Sequence, residues 1–284
     1  IQGCPVSINI PKFIKYVEKE DFAMAARTLK ETNALPAVCG RGCPQEVQCE
    51  ASCFYTIKLK KTPVAIGNLE RFVADWERNS GNMYIPEVAP SNGIKVAVIG
   101  SGHSGLAVAG DLAKYGYLVS VFEALHEPGG VLKYGIPEFR LPNEIVDVEI
   151  NNLKKMGVVF INNFVVGKTA TIEDLKEEGF QAFYAGSGAG LPNFMNIPGE
   201  NANGIMSSNE YLTRVNLMNA AKEDYDTPVF LGKKVAVIGG GNTAMDAASE
   251  SARMGAENVT LAYRGTKHEM GAYGFEYDLA KNAG

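Results

Sequence analysis

No stretch of this sequence is apolar for long enough to cross a membrane, and none has the make-up of a secretory leader. An excess of basic residues is missing as well. The 27 Lys and Arg against 32 Asp and Glu leave a net charge of −5, which excludes a general attraction to nucleic acid or an anionic membrane. Histidine is scarce: the three in the chain, His103, His126 and His268, all lie far from the cysteines, and the C-x2-C pair usual in zinc sites is absent. The five cysteines form an odd number gathered at one end, which suits metal or redox use better than a disulfide framework. These absences predict a cytoplasmic protein with no nucleic-acid and no membrane partner. What remains is ordinary globular composition, 46% hydrophobic and 21% charged, in 284 residues, enough for about two domains. Ile1 runs almost at once into Cys4-Pro5, so the sequence reads as a trimmed fragment or a processed product.

The cysteines come first. After Cys4 a helix is expected over about Lys12 to Thr32, with Pro11 near its first turn and Asn33 to Pro36 ending it. Cys39, Cys43, Cys49 and Cys53 follow at spacings of x3, x5 and x3. On a helix, Cys49 and Cys53 would share one face a turn apart. Two of the cysteines, Cys4 and Cys43, precede proline, a feature that recurs in iron–sulfur sites. Zinc and free buried thiols are the alternatives on these residues. A further helix is expected from Ala65 to Trp76, with Leu69, Phe72, Val73 and Trp76 on its apolar face. Glu70 sits beside that face, and in isolation it reads as a solvated carboxylate. Pro86 to Gly93 reads as a linker.

The chain is organised around Lys95 to Glu123. An apolar run, Val96 to Ile99, has the length of a buried parallel strand and opens into Gly100-x-Gly102-x-x-Gly105. A helix follows over Leu106 to Lys114, then a second strand, Leu118 to Phe122, that ends at Glu123. Gly100 permits the tight turn, Gly102 lets a pyrophosphate approach the backbone, and Gly105 lets the helix pack on the strand. The phosphates would sit on the free N–H groups of the helix start, and Glu123 would accept from an adenosine ribose. Beyond it, Glu127 to Pro142 is so rich in glycine and proline that no regular element is expected there. A backbone running against a ligand would explain that composition, and so would a structural loop. A helix from Ile145 to Met156 and strands at Val158 to Ile161 and Ala182 to Ala185 come next, the last running into Gly186-Ser187-Gly188.

A second fingerprint, Gly239-Gly-Gly241-Asn242-Thr243-Ala244, again lies between a strand and a helix, the helix running through Met254. The strand Val259 to Tyr263 ends differently from its counterpart, in Tyr263 with Arg264 and Lys267 rather than a carboxylate. Arginine can hold a 2′-phosphate bidentately where a carboxylate would repel it, although Arg264 could also be an ordinary surface cation. Two nucleotide sites of different character point to a flavoprotein reduced by a nicotinamide, with NADP(H) favoured over NAD(H).

With these residues in view, the whole chain resembles the flavin-bearing family of bacterial glutamate synthase small subunits. That family includes the large subunit of NADH-dependent ferredoxin:NADP oxidoreductase and the N-terminal half of dihydropyrimidine dehydrogenase. The resemblance rests on CPVSINIPKFI, CGRGCPQEVQCEASC, GSGHSGL, GGVLKYGIPEFRLP, AGSGAGLPNFMNIPGE, SNEYLTRVN, GGGNTAMDAA and YRGTKHEM in that order. It implies an α/β architecture in which an N-terminal α-helical iron–sulfur domain precedes tandem Rossmann-like FAD and NAD(P)H domains, the latter incomplete. The corresponding spans are 1–88, 89–228 and 229–284.

Carried onto this sequence, the resemblance gives Cys4, Cys43 and Cys49 to one [4Fe–4S] cluster, with Glu70 as its non-cysteine ligand. It gives Cys53 to a second cluster, whose other ligands would lie upstream of residue 1, and leaves Cys39 without a ligand role. The expected cofactor contacts are Gly100, Gly102, Ser104, Gly105, Glu123, Gly130, Leu132, Arg140 and Gly188 for FAD. For NADP(H) they are Gly239, Gly241, Asn242, Thr243, Ala244, Arg264 and Lys267. The stretch Gly129 to Arg140 would line the flavin. The sequence departs from the family pattern at His103 and Ser104, usually Pro-Ala, at Ser187, usually threonine, and at Gly265, where a second arginine is common. The family's C-terminal return would lie beyond Gly284. The implied function is hydride transfer from NAD(P)H to FAD, then single electrons through [4Fe–4S] clusters to a large catalytic subunit or domain. A relay or docking piece without turnover of its own is the alternative. No side chain is expected to act as a general acid or base, because the cofactors carry the chemistry.

Overall fold

In the computed structural model, residues 3–229 and 232–283 are described. The chain divides into two compact units, one made of the residues up to Gly130 with Arg140–Gly188, the other of 131–139 with the residues from Ala189 onward. Among the described residues no helix is long and apolar enough to cross a membrane.

The first unit opens with helices α1 (Ile10–Glu18), α2 (Phe22–Lys30), α3 (Pro36–Gly42), α4 (Phe54–Ile57) and α5 (Ile66–Asn79). The single helix expected over Lys12 to Thr32 is two. Glu20 takes a left-handed φ of 59°, and the Asp21 side chain accepts the Met24 N–H at 3.1 Å, restarting the helix as an N-cap. Phe13, Ala25, Leu29, Ile66 and Val73 pack from α1, α2 and α5 into one core, with Cys4 and Cys49 against it. Cys49 and Cys53 do not share a helix: Cys49 lies in a turn and Cys53 caps the one-turn α4. Helix α5 runs further than Trp76, to Asn79.

The same unit holds a four-stranded parallel sheet of β1 (Lys95–Ile99), β2 (Leu118–Phe122), β3 (Val159–Ile161) and β4 (Phe180–Ala185), in the order β3-β2-β1-β4. Helices α6 (His103–Lys114), α8 (Asn143–Lys155) and α9 (Ile172–Glu177) connect or flank them. The register sets Ile99 opposite both Phe122 and Ala185, and Phe122 opposite Ile161, so the carboxyl ends of all four strands lie along one edge. Strand β1 is central, with chain running away on both sides, and ligands bind at such a switch point. The expected linker before β1 packs on the following turn: Ala89 N–H donates to Lys114 O at 3.0 Å and Asn92 N–H to Gly116 O at 3.0 Å.

Helix α8 is tied to the helical region by a buried polar network. Glu149 Oε1 accepts the Ala37 N–H of α3 at 2.9 Å. Nearby, Lys30 pairs with Glu77 at 2.6 Å and donates to the Tyr84 carbonyl at 2.8 Å, while the Tyr84 N–H donates to Glu77 at 3.0 Å.

The second unit contains the parallel pair β5 (Lys234–Ile238) and β6 (Asn258–Ala262). Its helices are α7 (Val131–Tyr134), α10 (Ser208–Leu212), α11 (Asn242–Arg253) and α12 (Gly274–Ala283). Helix α10 continues into a π-helical turn, Thr213–Leu217. Tyr211, Leu212, Val215, Val237, Ala244 and Ala247 form its core. The glycine- and proline-rich stretch does contain a regular element, the one-turn α7, because the four residues between its glycines carry neither glycine nor proline.

Candidate functional site

The cysteine region is assembled by two glycines that sequence reading passed over. A Cβ on Gly40 would lie 2.6 Å from the Arg71 backbone nitrogen, so only glycine lets α3 press onto α5 at the residue after Glu70. A Cβ on Gly3 would lie 2.6 Å from Ser52 Cβ and 3.0 Å from Cys49 Cα, which brings Cys4 beside Cys49. All five thiols are free. Glu70, read as solvated from its helical position alone, is only 6% exposed and faces this group. Burial, with the charge of Cys43 added, pushes its pKa up to about 8. Burial likewise pushes Cys49 up to about 11, with further contributions from Glu50, Glu70 and Cys4. The hydrogen bond from Cys39 lowers Cys43 to about 7, and the same bond together with burial raises Cys39.

These interactions connect Cys4, Cys43, Cys49 and Glu70. Among the described residues nothing comparable ties the Cys53 side chain to them. No three or more His, Cys, Asp or Glu side chains among the described residues are close enough to hold a single metal ion. A cube of four irons holds its ligands further apart than one ion does. A buried carboxylate turned towards thiols, with no lysine or arginine paired to it among the described residues, is costly in a metal-free fold and suited to a bound iron. The donor set therefore fits such a cluster.

The first glycine turn lies at the carboxyl end of β1. Gly100 has φ 97°, and a Cβ there would be 2.4 Å from the Gly186 carbonyl oxygen; one on Gly105 would be 2.0 Å from the Gly100 carbonyl oxygen. Both glycines are therefore obligatory for packing. Gly102 caps α6 without any side-chain capping bond, and a Cβ on it would meet only open space. The N–H groups of that helix start remain available to an anion. Ser104 stands in its first turn, near Gly186.

Glu123 is 5% exposed and already engaged. Its Oε2 accepts the Ser101 N–H at 2.9 Å and the Ser101 hydroxyl, and its Oε1 accepts the Leu125 N–H at 2.9 Å. Ser101 Oγ in turn accepts the Gly129 N–H at 2.8 Å. Ser101, fully buried, is thus a third residue that sequence reading missed. Gly130 has φ 54° and backs onto Gly102, where a Cβ would lie 2.7 Å from the Gly102 Cα. Arg140 is half-buried, and Gly188 is exposed with φ 70°.

The second unit places the remaining expected residues. Leu132 is buried on α7. Gly241 starts α11 without a side-chain cap, and Gly239 stands against Ala244, a Cβ on the glycine lying 3.2 Å from the alanine Cβ. A Cβ on Gly240 would lie 2.6 Å from the Tyr263 ring, whereas one on Gly241 would meet only open space. Asn242 Oδ1 accepts the Tyr273 N–H at 3.0 Å, and Thr243 is exposed beside it. Arg264 and Lys267 are exposed beyond β6, with Lys267 Nζ 4.0 Å from the centre of the Tyr277 ring.

Comparison with known proteins agrees with this geometry. Residues 1–82 match the family model described as dihydropyrimidine dehydrogenase domain II, 4Fe-4S cluster. The NAD-dependent dihydropyrimidine dehydrogenase subunit PreT of Escherichia coli O157:H7 is 37% identical over 286 residues, covering 100% of this chain and 66% of that protein. The glutamate synthase [NADPH] small chain of Escherichia coli (strain K12) is 36% identical over 272 residues, covering 94% of this chain and 57% of that protein. The chain thus spans about two thirds or less of the curated relatives it matches. Mycobacterium tuberculosis FprA in complex with NADPH has a similar fold, with a TM-score of 0.55 at 22% identity over 69% of this chain and 48% of that one. The resemblance read from the motifs is borne out. Because residues 94–275, more than half of the sequence, match the remaining family model, the chain belongs to the pyridine nucleotide-disulphide oxidoreductase family.

Proposed function

We propose that this chain is part of an NAD(P)H oxidoreductase that holds FAD at the first glycine turn, NADP(H) at the second and a [4Fe–4S] cluster at Cys4, Cys43, Cys49 and Glu70. The observation that carries the reading is the pair of uncapped glycine-started helices, α6 and α11, with unlike strand ends after them. Glu123 follows one and Tyr263-Arg264 the other. When bound, the flavin converts a two-electron hydride donor into single electrons, which iron–sulfur clusters pass on.

The chain's own part is to bind and orient. The α6 N–H groups would hold the pyrophosphate, and Gly102 keeps the approach open. Glu123 has three acceptor positions filled by Ser101 and Leu125, and with the one left it would hold a ribose hydroxyl. Arg264 holds the 2′-phosphate of NADPH, and Lys267 adds charge beside it. Cys53 serves a second cluster. The matched relatives are named as a subunit and a small chain, which supports a larger catalytic partner as acceptor. Placement in the cytoplasm and the domain spans 1–88, 89–228 and 229–284 belong to the same proposal. Anaerobic purification followed by flavin, iron and acid-labile sulfide analysis tests it. Flavin and iron bound together are expected, and a colourless protein would overturn the reading in favour of a docking piece.

A further inference from the structure

Asn33 lies between α2 and α3, 4% exposed, and it has no part in the cofactor sites read from the sequence. Its two amide atoms do different things. Oδ1 accepts the Leu35 N–H at 2.9 Å and stands 3.6 Å from Cys39 Sγ. Nδ2 donates to Glu70 Oε1 at 3.0 Å. The Leu35 backbone group can only donate, so the carbonyl end must face it; the reversed amide would set two donors together. The amino end therefore has to face Glu70, and the orientation follows from the chain rather than from choice of fit.

We propose that Asn33 is the positioning residue for Glu70: by donating to Oε1 it fixes the orientation in which the buried carboxylate would be presented to a bound iron. This rests on the reading of Glu70 as a cluster ligand. Ligating carboxylates are commonly held by an outer partner, and loss of such a partner costs about 10–100-fold in metal affinity. The arrangement also gives Cys39 a place, as a thiol donating to the Asn33 carbonyl end.

The test compares Asn33→Asp, Asn33→Ala and Glu70→Ala in anaerobically reconstituted holoprotein. Asn33→Asp keeps the size and the acceptor for Leu35 but turns an oxygen towards Glu70. Iron release to a chelator and the electron paramagnetic resonance spectrum of the reduced protein are read, with circular dichroism and flavin content as controls for folding. The expected result is about tenfold faster iron loss and an altered spectrum in Asn33→Asp, with folding and flavin retained. In a Glu70→Cys background, where no carboxylate needs holding, the Asn33→Asp effect should vanish. If Glu70→Ala changes the cluster while both Asn33 variants match the wild type, the proposal fails and the ligand reading stands. If Glu70→Ala changes nothing, the ligand reading fails and the proposal with it. Should Asn33→Ala not fold, Asn33→Asp decides. An Asn33→Asp effect that persists in the Glu70→Cys background would show a general structural role and overturn the proposal.

Discussion

Replacing Glu149 by glutamine should change how stability depends on pH, with a sign and size that the structure fixes. Glu149 is 3% exposed, and burial pushes its pKa from the ordinary 4.5 to about 7, against the lowering effects of the Ala37 N–H, Lys30 and Asn152. The nearby charge of Glu77 adds to the rise. A carboxyl whose folded-state pKa is raised favours folding while it is protonated. Its contribution is therefore full below 4.5 and is lost progressively as pH rises to about 7. At about 1.4 kcal/mol per pH unit, the interval from 4.5 to about 7 amounts to about 3 kcal/mol. Glutamine keeps the carbonyl that accepts from Ala37 and cannot ionise. The stability of Glu149→Gln relative to the wild type should thus grow by about 3 kcal/mol between pH 4.5 and pH 7, then level off. Urea unfolding of both proteins at half-unit pH steps, followed by circular dichroism, measures the difference, in which the titration of Glu70 largely cancels. A constant difference across that range would refute the argument, and a wild type that gains on the variant as pH rises would reverse it.

Other perturbations have equally definite outcomes. Arg264→Ala should weaken NADPH binding by about 1–3 kcal/mol, as for a charged hydrogen bond, and leave NADH binding nearly unchanged; equal losses in calorimetry would remove the 2′-phosphate assignment. Glu123→Gln must set an amide donor against either Ser101 or the Leu125 N–H. It should therefore cost about 1–3 kcal/mol of stability even in flavin-free protein. A variant that loses flavin yet melts like the wild type would place the role of Glu123 in the ligand alone.

What the sequence revealed and what it hid follow from how far each signal reaches along the chain. The strand–glycine–helix units at Gly100 and Gly239 were legible because strand, turn and helix are contiguous, and Gly100 and Gly105 each have a local steric reason. The break at Glu20-Asp21 was also local, but apolar periodicity carries straight through a short cap. Glu70 was misplaced as solvated by the residue pattern alone, since a helical wheel cannot show that Gly40 admits α3 onto that face. The roles of Asn33 and Glu149 depend on partners 37 and 112 residues away, and no spacing rule reaches such distances. Motif order recovered the carboxylate among the thiols because family resemblance carries long-range contact that local pattern does not.

If one chain joins a nicotinamide site, a flavin and an iron–sulfur cluster, electrons from NADPH must reach both of the others. Anaerobic titration of the reconstituted holoprotein with NADPH tests it most directly, with visible absorption reporting the flavin and electron paramagnetic resonance reporting the cluster. The account predicts that NADPH bleaches the flavin band and that a reduced-cluster signal grows with it, both suppressed when the Gly239–Ala244 turn is disrupted by Gly240→Val. A flavin left oxidised by excess NADPH, or a bleached flavin with no cluster signal at any stage, would contradict it.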